Sequence, residues 1–551
     1  MSRRSNFLVR SVEETQTASA RWRLRLPNFR PVAVWGFAIL IGAATAYGII
    51  GFLFAINFVS ALAFGETEKT LVSGASHLSP FRAWLAPVIG GCAVSGVLVA
   101  ADRFGWLKDG RAQGVADVIE ARAVKNGAID VRSGLAAALV SAISVGAGGS
   151  AGREGPAVHL GATIASFLDA RFGFSAKDRR TLLGCGAAAA VAASFNAPIA
   201  GVLFALEVVM GAYGLSIFGP IAAASVTAAI VTRTHLGNFP AVAAPAYGVV
   251  SNLDVALGAV LGLLCGLVAT AFLVATETMT LRVRQFADER KISYFWLPPF
   301  GGMLVGAIGA FLPEVFGVGY EAVTNAFQGA YSARFLLILL VFKILATAIT
   351  LSCRFGGGVF SPGLVIGAFA GATFSGLVVS FIPTASAGVA FYAMVGMGAA
   401  SGAIIGAPIS TTLIVFEMTG DYALTTALVL AVALATLVSQ AIAGRTFFHW
   451  QLSRRGYDLS EGPQGVILQT IRVRDVMERM PPAPPLPEDA PRLATMESLG
   501  KALAQFEKLE EVGLPVVSSK EPDEVVGYLS RVRALNAYNK ALIDSHIEHH
   551  R

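Results

Sequence analysis

The residues with the clearest chemical potential form a short run, Gly152-Arg153-Glu154-Gly155-Pro156. A glycine-flanked turn followed by proline opens a helix. The first amides of a helix have no intrahelical acceptor and carry positive partial charge. A dehydrated anion can bind there, and so can a carboxylate. Glu154 can therefore compete with an anion for one place and leave it when protonated or displaced. A second run, Gly358-Val359-Phe360-Ser361-Pro362, opens another helix and has no acid. Two such starts facing each other would cradle an anion without a full positive charge. That suits passage, because a buried Arg or Lys holds an ion too tightly to release it.

The elements that must position these runs repeat. Both runs fit G-x-x-x-P-x-x-x-x-G-A, ending at Gly161-Ala162 and Gly367-Ala368. Ala197-Pro198-Ile199 leads to Leu203 and Glu207, as Ala407-Pro408-Ile409 leads to Leu413 and Glu417. Gly152 and Gly358 are 206 residues apart and Pro198 and Pro408 are 210 apart, so two motifs recur in order at nearly one spacing. Interrupted segments at matching places in two halves point to a transport site at the repeat interface. Ordinary spanning helices are expected over Val32–Phe64, Trp84–Ala101, Ile217–Thr232, Val255–Thr278, Phe335–Leu351 and Ala423–Gly444. Shorter pieces, Arg153–Phe167, Gly184–Asn196, Ile199–Met210, Phe360–Phe369 and Ile409–Met418, fall below the roughly 20 residues a crossing needs. They are expected to stop partway, around an internal site that satisfies their ends.

Composition agrees with a membrane protein. Of 551 residues, 54% are hydrophobic and only 14% charged, well under the charge of a soluble domain. The 59 glycines let helix backbones approach closely. Arg3, Arg4, Arg10, Arg21, Arg23, Arg25 and Arg30 crowd the segment before the first apolar run. A hydrophobic span follows directly, so the positive-inside rule is preferred over nucleic-acid binding and puts the N-terminus in the cytoplasm. The first apolar stretch is too long for a cleavable signal peptide. Cys92, Cys185, Cys265 and Cys353 are isolated in apolar segments and read as small buried hydrophobes. There is no H-E-x-x-H helix, and an intramembrane enzyme is the outlying reading.

At these motifs the chain resembles the CLC family of chloride channels and chloride/proton exchangers. G-R-E-G-P at 152–156, G-x-F-x-P at 358–362, Phe195-Asn196-Ala197-Pro198 and Glu417-Met418-Thr419 carry the resemblance, which spans about 31–454. It implies an all-α polytopic membrane protein with two inverted-topology halves of tilted, broken helices, about 31–232 and 252–444. It further implies a homodimer with one pathway per subunit and both termini cytoplasmic. Glu154 would be the gating glutamate, and the amides of Val359 and Phe360 would bind the central anion. Gly152, Arg153, Gly155, Pro156, Gly358, Ser361 and Pro362 would complete the helix starts.

Three positions depart from the family pattern. Gln113 stands where the family's loop serine donates to the anion, and Phe448 where its pathway tyrosine does. Both changes remove a hydroxyl, which leaves anion preference open and keeps a fluoride-selective variant among the readings. Val208 occupies the position of the internal proton-accepting glutamate of exchangers. Valine holds no proton, which favours a channel-like or weakly coupled protein. An exchanger using Glu207 or another inner route is the alternative. Glu207 is read first as a helix-end acid satisfied by local backbone, like its repeat mate Glu417. Lys343, inside an apolar run, is expected to snorkel or to pair with a buried acid, with a place on the pathway as the rival reading. His159 is expected to pack, with tuning of the gate's pH response as the alternative.

Past Phe448 the chain turns charged, with Pro481, Pro482, Pro484, Pro485 and Pro487 close together. Val473–Met477 reads as a helix start, and Val512–Val517 and Glu524–Leu529 as strands. Together they look like one CBS regulatory motif in a small α/β module over 466–545, after a linker at 455–465. The basic segment 1–30 and the tail 546–551, where His546, His549 and His550 are read as frayed, complete the chain. No cofactor is implied beyond nucleotide binding at the CBS-like motif. The partners implied are chloride and similar anions, protons, the lipid bilayer and a second copy, in a bacterial inner membrane.

Overall fold

In the computed structural model, residues 30–107, 110–238, 247–248, 250–382, 387–457, 468, 471–483, 490–519 and 524–550 are described. The arginine-rich segment before Arg30, most of the linker and the C-terminal histidine side chains lie outside the described residues. The chain clusters into two compact units, 1–447 and 448–551.

The first unit is helical: α1 (Arg30–Phe64), α2 (Leu71–His77), α3 (Pro80–Arg103), α4 (Val115–Val124), α5 (Val131–Gly146), α6 (Glu154–Phe172), α7 (Ala176–Phe195), α8 (Pro198–Phe204) and α9 (Leu215–Leu236). It continues with α10 (Asn252–Glu289), α11 (Leu297–Gly309), α12 (Tyr320–Phe327), α13 (Ala333–Ser352), α14 (Phe360–Phe381), α15 (Gly388–Ile405), α16 (Pro408–Thr419) and α17 (Tyr422–Ala443). Among the described residues eight helices are long and apolar enough to cross a membrane. All six expected spans are among them. The interior is built of small residues, and α15 is buried along almost its whole length. Large apolar side chains such as Phe54 and Leu215 point outward. This distribution fits a lipid surround.

Four segments differ from expectation. α14 runs on to Phe381 and is long enough to cross, α15 is a further crossing-length helix that was not expected, α6 runs on to Phe172, and α7 extends back to Ala176. Gly371 looks like a breaker but marks a helix crossing, since a Cβ there would stand 2.0 Å from the Tyr392 carbonyl oxygen. Such crossings obey the repeat. A Cβ on Gly161 would lie 2.3 Å from the Gly186 oxygen, and one on Gly367 2.2 Å from the Gly396 oxygen. Gly42 against Ala224 (2.4 Å) and Gly262 against Ala431 (2.5 Å) form another matched pair. Thus α6 on α7 is the counterpart of α14 on α15, and α1 on α9 that of α10 on α17.

In the second unit, α18 (Phe447–Ser453) crosses the division, and α19 (Val473–Val476) follows. Strands β1 (Glu478–Ala483), β2 (Leu493–Ala494), β3 (Gly513–Val517) and β4 (Val525–Ser530) form a sheet in the order β1-β4-β3-β2, with α20 (Leu499–Leu509) and α21 (Arg531–His550). Val473, Leu493, Phe506, Val516 and Leu529 share its core. The expected helix start and two strands are present. Pro481 and Pro482 lie in β1, an edge strand whose pairing with β4 shifts register between Arg479 and Ala483, the place a strand tolerates residues without N–H.

The glycine crossings give a test. Gly161→Ala puts a methyl into a backbone carbonyl that cannot yield, and is expected to cost about 1–3 kcal/mol or more. Gly51→Ala, with nothing within 4 Å, changes stability by no more than about 1 kcal/mol. Thermal unfolding in detergent reads the difference.

Candidate functional site

Helices α6 and α14 begin alike. Arg153 and Val359 precede them with near-helical φ of −89° and −99°. The first helical bonds are Ala157 N–H to the Arg153 carbonyl (3.0 Å) and Gly363 N–H to the Val359 carbonyl (2.9 Å). Pro156 and Pro362 have no N–H to offer. The amides of Glu154 and Gly155 on one helix, and of Phe360 and Ser361 on the other, are left without intrahelical acceptors.

Backbone exchange brings the two starts together. Gly152 N–H donates to the Gly358 carbonyl and Gly358 N–H to the Gly152 carbonyl, each at 2.7 Å. The contact is reciprocal, as a two-fold relation between repeats requires. A Cβ on Gly358 would sit 3.1 Å from the Gly155 nitrogen, so the approach depends on glycine. The Phe360 ring is seated against Phe195 (5.2 Å between centroids) and Phe204 (6.4 Å).

Glu154 is only 3% exposed. Its Oε1 accepts from the Tyr320 hydroxyl at 2.9 Å and from the Ser361 hydroxyl. Its Oε2 has no hydrogen-bond partner among the described residues. Arg153 is held elsewhere: its Nη1 lies 2.5 Å from Glu68 Oε2, while its Nε is 3.9 Å from Glu154 Oε1. The guanidinium also lies 5.3 Å from the Tyr320 ring centroid. Arg153 and Glu68 form a neutral pair, both buried, and the charge left at the junction is that of Glu154.

Other expected residues fall as follows. Gln113 is half-buried in the turn before α4, in a loop tied by Asp117 to Arg111 (2.7 Å) and to the Gly114 amide (2.9 Å). It is not among the partners of Glu154. Phe448 begins the second unit. Val208 is half-buried in the π-helical turn Ala205–Met210 that continues α8, while the matching α16 stays α-helical to Thr419. Glu207 departs from its reading. Its carboxylate accepts from the Ile409 amide (3.0 Å), the Ser410 amide (2.8 Å) and the Ser410 hydroxyl (2.7 Å), all in the other half. Glu417 returns the contact on the Ile199 (3.0 Å) and Ala200 (2.7 Å) amides. These acids cap the partner repeat's helix, because proline at each start leaves amides that nothing local reaches.

Lys343 also departs from its reading. It neither snorkels nor meets an acid: its fully buried Nζ donates to the carbonyls of Val315 (2.9 Å) and Gly317 (3.0 Å). That fixes the turn leading into α12 and Tyr320. His159 is buried on α6. Glu68 and Tyr320 were missed from sequence. Glu68 looks like an ordinary charged residue in a short loop, and Tyr320 had only the Gly317-Val318-Gly319 turn before it as a signal.

The family model for the voltage gated chloride channel matches residues 97–440. The chain belongs to the CLC family. This CLC chain is 32% identical over 425 residues to a putative chloride channel protein, ClcB-like, of Ralstonia nicotianae, covering 76% of this chain and 96% of that one. It is 30% identical over 408 residues to the voltage-gated ClC-type chloride channel ClcB of Escherichia coli, covering 74% and 95%. Its fold is similar to that of a slow cyanobacterial Cl−/H+ antiporter, with TM-score 0.67, 22% identity and coverage of 77% and 97%. It is also similar to a CLC-type fluoride/proton antiporter, with TM-score 0.62, 24% identity and coverage of 76% and 98%. The protein is an integral, multi-pass membrane protein for CLC-type transport of small anions, in a family of channels and transporters rather than enzymes.

Breaking the buried pair tests the charge arrangement. Glu68→Gln leaves Arg153 uncompensated and is expected to cost about 3 kcal/mol, with Arg153→Gln on top of it recovering part. A double-mutant cycle of melting temperatures in detergent checks this.

Proposed function

We propose that this CLC chain is a glutamate-gated pathway for chloride and similar small anions, channel-like or only weakly coupled to protons. One observation carries the reading: the Glu154 carboxylate lies where the two facing helix starts meet, between Tyr320 and Ser361. The amides of Val359 and Phe360, with Gln113 and Phe448 along the inner route, are the proposed anion-binding groups. Protonation removes the charge for which Glu154 competes with the anion, and the side chain then leaves.

Weak coupling is supported by Val208, which cannot hold a proton. It is supported as well by the engagement of Glu207 with the Ile409 and Ser410 amides, which gives that carboxylate a structural task. The curated relatives are named as chloride channels. The proposal includes a homodimer with one pathway per subunit, an inner bacterial membrane and cytoplasmic termini, the arginines before α1 supplying the positive-inside signal. It also keeps the CBS-like reading of the second unit.

Liposome flux with simultaneous pH recording tests this. Wild-type protein should pass chloride with little or no proton movement, and steady proton transport driven by a chloride gradient would favour the exchanger. Glu154→Ala should keep anion flux and lose its dependence on external pH. Abolished flux in a folded variant would contradict the gate. Val208→Glu alone should not create tight coupling, because a proton route needs more than one acid. Glu207→Gln should lower stability by about 1–3 kcal/mol while leaving the proton-to-anion ratio unchanged.

A further inference from the structure

Tyr320 and Ser361 have no assigned role beyond their contact with Glu154, yet their geometry is that of a ligand set. The Tyr320 hydroxyl donates to Glu154 Oε1 at 2.9 Å, and the Ser361 hydroxyl donates to the same oxygen. The two hydroxyl oxygens are 3.1 Å apart. Each hydroxyl has one proton, so two protons aimed at Oε1 leave none for the Tyr320–Ser361 contact. Both residues are buried, at 4% and 0% exposure. When the carboxylate departs, the two hydroxyls can satisfy only one donor between themselves, and the other is left buried without that acceptor, which is costly. A permeant anion in that place would satisfy both.

The support around Tyr320 is rigid. Gly319 enters α12 with φ +92°, a conformation suited to glycine. Lys343 grips the carbonyls of Val315 and Gly317 just upstream. Glu321, the next residue, accepts from the amides of Val72 (2.7 Å) and Ser73 (3.1 Å) and ties α12 to α2. Ser361 is set by the helix start itself, with the Gly152–Gly358 exchange beside it. A hydroxyl pair fixed by contacts independent of Glu154 stays in place after Glu154 moves.

We propose that the Tyr320 and Ser361 hydroxyls are anion ligands, donating to a monovalent, halide-sized anion in the place that Glu154 Oε1 otherwise fills. The pair serves two occupants in turn, carboxylate and halide. Neutral donors can do this because the nearest full positive charge, Arg153, is paired at closer range with Glu68 and stands 3.9 Å from the Oε1 place.

The assignment rests on the gate reading, and the test separates the two. Chloride binding to the purified full-length protein is measured by titration calorimetry in Glu154→Ala, where no gate remains, and again with Tyr320→Phe added. A residue that only positioned the gate would have no effect in this background. A lost hydrogen bond to a charged ligand predicts binding weaker by about tenfold or more. A change below about threefold overturns the assignment. Should Tyr320→Phe compromise folding, Ser361→Ala in the same background is read against the same threshold. If Glu154→Ala flux still responds to external pH, the gate reading fails. If that flux is insensitive to pH and chloride binding is unchanged by the second substitution, only the ligand assignment fails.

Discussion

Everything at the site depends on the exchange of backbone hydrogen bonds between Gly152 and Gly358. A helix start inside a protein leaves donors that something must accept. One such start is a local difficulty, usually resolved by a cap. Two starts held together by a reciprocal pair of 2.7 Å bonds concentrate donors in one place and make it a site. The prolines reduce the set to a few amides, and the glycines allow the approach. Glu154 belongs to one start and Ser361 to the other, so the carboxylate is held across the repeat boundary.

The charge arrangement follows from the same constraint. A permeant ion has to be stabilised without being trapped. Arg153 sits next to Glu154 in sequence, but its guanidinium makes its close contact with Glu68 and stands 3.9 Å from Glu154 Oε1, so the direct donors at the anion place are hydroxyls and helix-start amides. Lys343 is likewise engaged, by two backbone carbonyls of the turn before Tyr320. The full positive charges in this region thus serve to hold backbone and acids in position. Glu207 and Glu417 do comparable work for α8 and α16, each capping the helix start of the opposite half.

Much of this was legible in the residues. The two repeat spacings were readable because proline and glycine at helix starts are tied to backbone geometry, and the crossings at Gly161, Gly186, Gly367 and Gly396 obey the same offsets. The apolar spans were readable from length and composition. Helix extent was harder: Gly371 resembles a breaker and is a packing site. The partners of Glu154 were hardest, because Tyr320 and Glu68 come from distant loops whose pairing with residues 153–154 depends on tertiary packing alone. Lys343 and Glu207 were misread for a related reason, since a buried charge can be satisfied by backbone groups far away in sequence, and periodicity carries no trace of that.

The central claim is that a bare anion and the Glu154 carboxylate occupy the same place between two helix starts. Anomalous diffraction from Glu154→Ala crystals soaked in bromide tests it most directly. A bromide peak is expected at the junction of the two helix starts, within hydrogen-bonding reach of the Tyr320 and Ser361 hydroxyls, where the carboxylate lay. A well-occupied bromide elsewhere along the pathway, with none at the junction, would contradict it.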